Sequence, residues 1–183
     1  MFAWSRFLVL GLLLAVTGGP GEPAIEDLRV TVDGGQVLVG FHLANGLDAE
    51  TRERIASGLP TSFIYELELK RDRKHWWDRG LDSTVLEVVA MYNAVTREYL
   101  VNTKQGGRLI ESRTVRDEEE LERAMTHFES FPAFALEADA DGSRFLVRVR
   151  VDLGPGAVLG FIPYQRSTEW VESNKVRLHA PEP

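Results

Sequence analysis

The sequence predicts a mainly β fold: an antiparallel β-sandwich or curled sheet with two short helices, with a segregated α+β arrangement as the alternative. Three observations predict it. Apolar and polar residues alternate with a period of two in several separate stretches. The clearest sets Phe145, Val147, Val149, Val151 and Leu153 against Arg144, Arg148, Arg150 and Asp152, which gives a strand one buried and one charged face. Turn-forming residues separate these stretches, and only two segments carry a helical apolar stripe. Many short strands joined by turns, without βα alternation, pack as antiparallel layers.

The chain has 183 residues, which suits one domain that buries about two thirds of the surface its unfolded form exposes. Its 44% hydrophobic and 27% charged residues are those of a globular protein with a real core. The formal net charge of −7, from 21 basic and 28 acidic side chains, repels polyphosphates and argues against nucleic acid as a partner. There is no cysteine, which excludes disulfides, thiolate metal sites, a cysteine nucleophile and a lipid-modified cysteine.

Arg6, the apolar run Phe7 to Val16, and then Thr17, Gly18 and Gly19 have the layout of a secretory signal peptide. About ten apolar residues fall short of the roughly 20 that span a bilayer, so cleavage is the expectation and a retained anchor the alternative. Residues 1–18 are read as the signal, 19–24 as a Pro/Gly-rich spacer, 25–179 as a single domain and 180–183 as a tail. Removing the signal takes away Arg6 and no acid, leaving a net charge of −8. Export without cysteine suits a periplasm, or attachment to the inner membrane from the periplasmic side.

Within the domain, Leu28, Val30 and Val32, the turn Asp33-Gly34-Gly35, and Val37, Val39, Phe41 and Leu43 predict a β-hairpin, since glycine adopts the positive φ of a tight hairpin turn at little cost. Asp48 is placed to cap a short helix through Ser57, with Leu47, Thr51 and Ile55 on one face and Gly58 and Pro60 ending it. Phe63, Tyr65, Leu67 and Leu69 share one face of the next strand, and Ser62, Glu66, Glu68 and Lys70 mostly populate the other. Thr84 to Tyr92, partly apolar on both faces, reads as a more central strand. The turn at Asn93 to Thr96 returns it as Arg97 to Thr103, and Gly106-Gly107 leads to a strand over Leu109 to Val115. Thr114 is the expected cap of a second helix, with Asp117 to Glu120 at its positive end, a stripe of Leu121, Ala124, Met125 and Phe128, and His127 in its last turn. A short strand at Ala133 to Leu136 and a turn at Asp139 to Gly142 precede the long strand. Gly154-Pro155-Gly156 is read as its break, followed by segments at Val158 to Tyr164 and Glu169 to Leu178.

The densest functional signal is the run Arg71-Asp72-Arg73-Lys74-His75-Trp76-Trp77-Asp78-Arg79. Its indoles offer a platform for sugar rings or an anchor at an anionic membrane surface. Neighbouring residues on an extended strand point to opposite faces, however. One indole then plugs the core while the other lies under lysine or arginine stems. Arg71, Arg73, Lys74, Trp76, Trp77, Asp78 and Arg79 are the candidate partner surface. His75, Asp78 and Ser83 do not make a triad by proximity alone, and the chain has no Gly-x-Ser-x-Gly elbow. His42, His75, His127 and His179 show no metal-ligand spacing, so no catalytic metal and no cofactor are expected. Glu137 to Gly142 matches the first half of a calcium loop, but the twelfth position is Arg148 where a glutamate is needed. A hairpin turn explains the same residues. Arg144, Arg148 and Arg150 are expected to pair with carboxylates of a neighbouring strand, Glu66, Glu68 or Glu87, or to be solvated.

Gly58-Leu59-Pro60-Thr61-Ser62-Phe63, Arg73 with Trp76-Trp77-Asp78, Tyr92 with Thr96-Arg97-Glu98-Tyr99, and Val147-Arg148-Val149-Arg150-Val151-Asp152-Leu153 together resemble the exported bacterial family known as a domain of unknown function, DUF4390. The likeness runs from about Ile25 to Ser173. The carboxyl end departs from it, since after Trp170 and Ser173 the chain continues Asn174-Lys175-Val176 without a closing aromatic residue. The resemblance implies an exported envelope protein and supplies no catalytic residue. By gene neighbourhood in some bacteria, it also implies work beside a membrane-bound sensor kinase of the nitrogen type.

The chain is thus expected to be a non-enzymatic binding or accessory protein of the bacterial envelope, meeting an envelope or membrane protein through the Arg71 to Arg79 corner. The alternative is an envelope hydrolase or carbohydrate-active protein using carboxylates such as Asp78 or Glu87. Such an enzyme requires two carboxylates roughly 5 to 10 Å apart in a cleft.

Overall fold

The computed structural model of the protein describes residues 21–71, 80–136, 144–158 and 162–177. In chain order they form β1 (Ala24–Asp33), β2 (Gln36–Ala44), α1 (Ala49–Ala56), β3 (Thr61–Arg71), β4 (Gly80–Asn93), β5 (Glu98–Gln105) and β6 (Arg108–Val115). There follow α2 (Glu118–Thr126), β7 (His127–Ala135), β8 (Arg144–Val158), β9 (Ile162–Ser167), β10 (Val171–Glu172) and β11 (Val176–Arg177). The fold is mainly β, with the two short helices the sequence predicts. The signal segment and the turn at Asp139 to Gly142 lie outside the described residues. Among those described, no helix is long and apolar enough to cross a membrane.

The strands make two antiparallel sheets. The smaller has the order β1-β2-β7; the larger runs β10-β8-β3-β4-β5-β6, with β9 and β11 also paired to β8. Gly34 and Gly35, at φ 54° and 77°, make the β1–β2 turn, and positive φ at both central positions gives the turn whose twist matches paired strands. Burial fixes register, because slipping β3 by one residue would carry the buried Phe63, Tyr65, Leu67 and Leu69 to the solvent face. These residues join Leu86, Val88 and Ala90 of β4, Val147, Val149 and Val151 of β8, and Val37, Val39 and Phe41 of the small sheet in one core. At about 1.5–3 kcal/mol for each fully buried large apolar side chain, that shared core is the main source of stability. Phe41 and Tyr65 meet across the sheets with ring centroids 5.4 Å apart, and the Tyr65 hydroxyl donates to the Met125 carbonyl at 2.7 Å. Each helix adds one buried face, Thr51 and Ile55 from α1 and Leu121, Ala124 and Met125 from α2.

The first helix forms as its sequence predicts, with the Asp48 carboxylate accepting from the Thr51 amide at 2.9 Å. The second differs at both ends. Thr114 stays in β6 opposite Leu100, and Asp117 is the cap, accepting from the Glu120 amide at 2.8 Å. His127 is not in a last helical turn; its backbone is extended and opens β7. Phe128 is therefore a strand residue opposite Phe41, their rings 4.8 Å apart, and the strand expected from Ala133 begins at His127. Gly154-Pro155-Gly156 does not end β8 either. A register shift between Asp152 and Pro155, with Gly154 at φ 74°, bulges the strand, which continues to Val158 against β9. The closing segment is two short pairings rather than one strand. The Thr168 and Ser173 hydroxyls accept from the Val151 and Val147 amides at 3.1 Å each, standing in for a continuous partner along β8.

Candidate functional site

Of the residues singled out from sequence, Arg71 is the last of β3. Arg73, Lys74, Trp76, Trp77, Asp78 and Arg79 lie outside the described residues, as do His75 and the Glu137 to Gly142 turn. The sheet nevertheless fixes where that corner is attached. The chain leaves β3 at Arg71, beside Phe145 of β8, and re-enters at Gly80, beside Lys70.

The face of β3 and β8 turned away from the core leads to this corner. Lys70, Glu68 and Glu66 stand opposite Leu146, Arg148 and Arg150, so period two alone brings acids and bases together. Arg148 lies 2.7 Å from Glu68 and Arg150 2.9 Å from Glu66. The pairing expected for Glu66 and Glu68 is thus present, whereas Glu87 is held by Lys104 at 3.1 Å. Trp170 roofs the ladder, with the guanidinium carbons of Arg148 and Arg150 at 4.2 and 4.7 Å from its ring centroid. Each such contact contributes about 0.5–1 kcal/mol at an exposed site and holds the guanidinium flat. Its position follows from β10, where Val171 pairs with Val149 and Glu172 with Arg148, placing Trp170 a step further along, over Arg150.

Towards the end of the sheet the same face carries cations. Arg144 stands directly opposite Arg177 of β11, and Lys70 on β3 faces Leu146, two residues further along β8 on the same face. Among the described residues none of Lys70, Arg144 and Arg177 has an ion-pair partner. Like charges directly opposite in a sheet are unfavourable, and here they occur in a chain of net charge −7. The local sign is reversed.

A second feature lies on the small sheet. His42 and His127, register partners across β2 and β7, stack with ring centroids 4.6 Å apart. They flank a recess of about 370 Å3 that Asp27, Arg29 and Glu129 also line. His42 lies 3.9 Å from Glu26, and His127 Nδ1 is 2.9 Å from the Thr126 hydroxyl. Desolvation lowers the His127 pKa from 6.5, with His42 and Arg123 adding to the effect and Glu122 and Glu129 opposing it. Gly40 lines the recess, where a Cβ would clash with the Glu129 carbonyl oxygen. Among the described residues no three His, Asp or Glu side chains converge to hold a metal ion. Sequence spacing does not reveal the histidine pair, which the pairing of β2 with β7 creates.

No curated protein and no solved structure matches the chain. Residues 21–157 match the family described as Domain of unknown function (DUF4390), well over half of the sequence and a stretch that contains both helices and all of β1 to β7. The chain therefore belongs to the DUF4390 family.

Proposed function

We propose that the protein is a non-enzymatic binding or accessory protein of the bacterial cell envelope. It meets an acidic surface of an envelope or membrane protein through the outer face of the large sheet around Lys70, Arg144, Arg177 and Trp170, and through the Arg71 to Arg79 run that the sequence marks as a candidate partner surface. The supporting observation is the set of cations without ion-pair partners among the described residues, beside an aromatic-roofed arginine ladder, in a chain that is otherwise acidic. Unpaired, mutually repelling cations cost folding stability and gain a role when an acidic partner neutralises them, which also steers encounter. A partly exposed tryptophan between arginines supplies the aromatic and guanidinium anchors that dominate protein interfaces. Export rests on the layout of Arg6 to Gly19, and a membrane-bound sensor kinase is the partner the family resemblance suggests. The hydrolase alternative draws no support from Glu87, whose carboxylate is engaged by Lys104.

The test is recovery of partner from solubilised envelope by the wild-type protein, by Arg144→Glu with Arg177→Glu, by Trp170→Ala, and by Trp76→Ala with Trp77→Ala. Recovery by the charge-reversed variant should fall by about tenfold or more, and wild-type recovery should fall as salt is raised, since the contact is electrostatic. Undiminished recovery by a folded, charge-reversed protein would refute the proposal.

A further inference from the structure

β6 is the free edge of the large sheet, paired to β5 on one side and to no described strand on the other. Seven of its eight residues are exposed, with Leu109 at 55% and Ile110 at 47%. Such an edge offers a row of backbone donors and acceptors to another strand. It contains neither proline nor glycine, and a register irregularity next to Ile110 interrupts only its first part. Along the regular part, Glu111 and Arg113 share a face and are hydrogen bonded to each other, the Arg113 Nε lying 3.0 Å from the carboxylate. This pair selects the occupant of the edge.

We propose that β6 pairs antiparallel with β6 of a second copy of this chain about a two-fold axis at Ser112. In that register Ser112 faces Ser112, Ile110 faces Thr114, and each Glu111 faces Arg113 of the other copy. Each Glu111 and each Arg113 then has an opposite charge along its own strand and another across the interface, so these four charges alternate around the axis. Neighbouring registers lack this property. A two-residue shift either way sets Glu111 against Glu111 or Arg113 against Arg113, and a one-residue slip moves the side chains to opposite faces. The contact is isologous and closes at two copies, joining two large sheets into one. It lies at the opposite edge of the sheet from β8 and β10, so a dimer presents two outward copies of the cationic face. The inference does not depend on what that face binds.

The cysteine-free chain permits a direct test. Residues facing each other across an antiparallel pair have Cα atoms about 4.5–5.5 Å apart, within the roughly 4.4–6.8 Å that a disulfide bridges. Full-length Ser112→Cys oxidised with diamide should form a covalent dimer about tenfold or more faster than Val95→Cys, whose site in the β4–β5 turn is 92% exposed. In sedimentation, Glu111→Arg and Arg113→Glu should each weaken association by about tenfold, by placing like charges opposite. The double exchange should restore it. A monomeric wild-type chain, equal oxidation rates at the two sites, or a double exchange no better than the single variants would overturn the proposal. So would capture of β6 by an unrelated extended peptide in place of a second copy.

Discussion

Asp48 joins the start of α1 to the far end of the chain, so Asp48→Ala removes two contacts at once. Its carboxylate accepts from the Thr51 amide at 2.9 Å and lies 3.0 Å from Arg166, whose side chain is 9% exposed. Arg166 also donates to the Thr51 hydroxyl at 3.3 Å, so it keeps one partner after the substitution. Loss of the cap costs about 1 kcal/mol. A mostly buried guanidinium left without its carboxylate adds about 1–3 kcal/mol, less than for a fully interior pair because Asp48 is partly solvated. Asp48→Ala should therefore lower stability by about 2–4 kcal/mol in urea, with an unchanged dependence on denaturant. In an Arg166→Met background the same substitution should cost only the cap, about 1 kcal/mol. Equal costs in both backgrounds would refute the coupling. The proton linkage agrees in sign: burial works to raise the Asp48 pKa, but the Thr51 hydrogen bonds and Arg166 outweigh it and lower the value from 3.8. Its stabilisation is thus complete above the unfolded-chain value and is lost as pH falls through the lower folded value.

Tyr65→Phe removes the donor to the Met125 carbonyl and should cost about 1–2 kcal/mol by urea unfolding; no loss would mean that the bond adds nothing. Trp170→Ala should cost about 1–2 kcal/mol through its two arginine contacts, and in a cycle with Arg148→Met the two losses should fall short of additive. Gly40→Ala forces a Cβ against the Glu129 carbonyl and should cost about 1–3 kcal/mol, since the β7 backbone must move. The depressed His127 pKa means that the unfolded chain takes up its proton first, so stability is complete above about pH 6.5 and declines below it. His127→Gln should flatten that decline in unfolding midpoints measured across the range.

Strands with one buried face were legible because alternation reports burial directly, as in Phe63 to Leu69 and Phe145 to Leu153. Which strands become neighbours is a different quantity. The sequence offers Glu66, Glu68 or Glu87 as partners of the arginine row; strand pairing gives Glu66 to Arg150 and Glu68 to Arg148, while Glu87 goes to Lys104 on the other side of β4. The start of α2 was ambiguous locally, Thr114 and Asp117 both being cap residues, and the pairing of Thr114 with Leu100 decided it. Phe128 matched the helical stripe, yet Phe41 and Tyr65 give it a better site as a strand residue. Trp170 and the His42–His127 pair carry no local signal, since each acquires its meaning only when distant strands are brought into register. The Trp76-Trp77 cluster is dense in the sequence and lies outside the described residues, whereas the described aromatic and guanidinium stack forms at Trp170, Arg148 and Arg150.

The role proposed for the cationic face is tested most directly by a photo-crosslinking residue placed at Arg177 in intact cells, with Val95 as the distant control. Adducts from position 177 should concentrate on one envelope protein through an acidic segment, and should disappear when Arg144→Glu is added to a protein that still folds. Adducts that form equally from position 95, or that persist unchanged with Arg144→Glu, would contradict it.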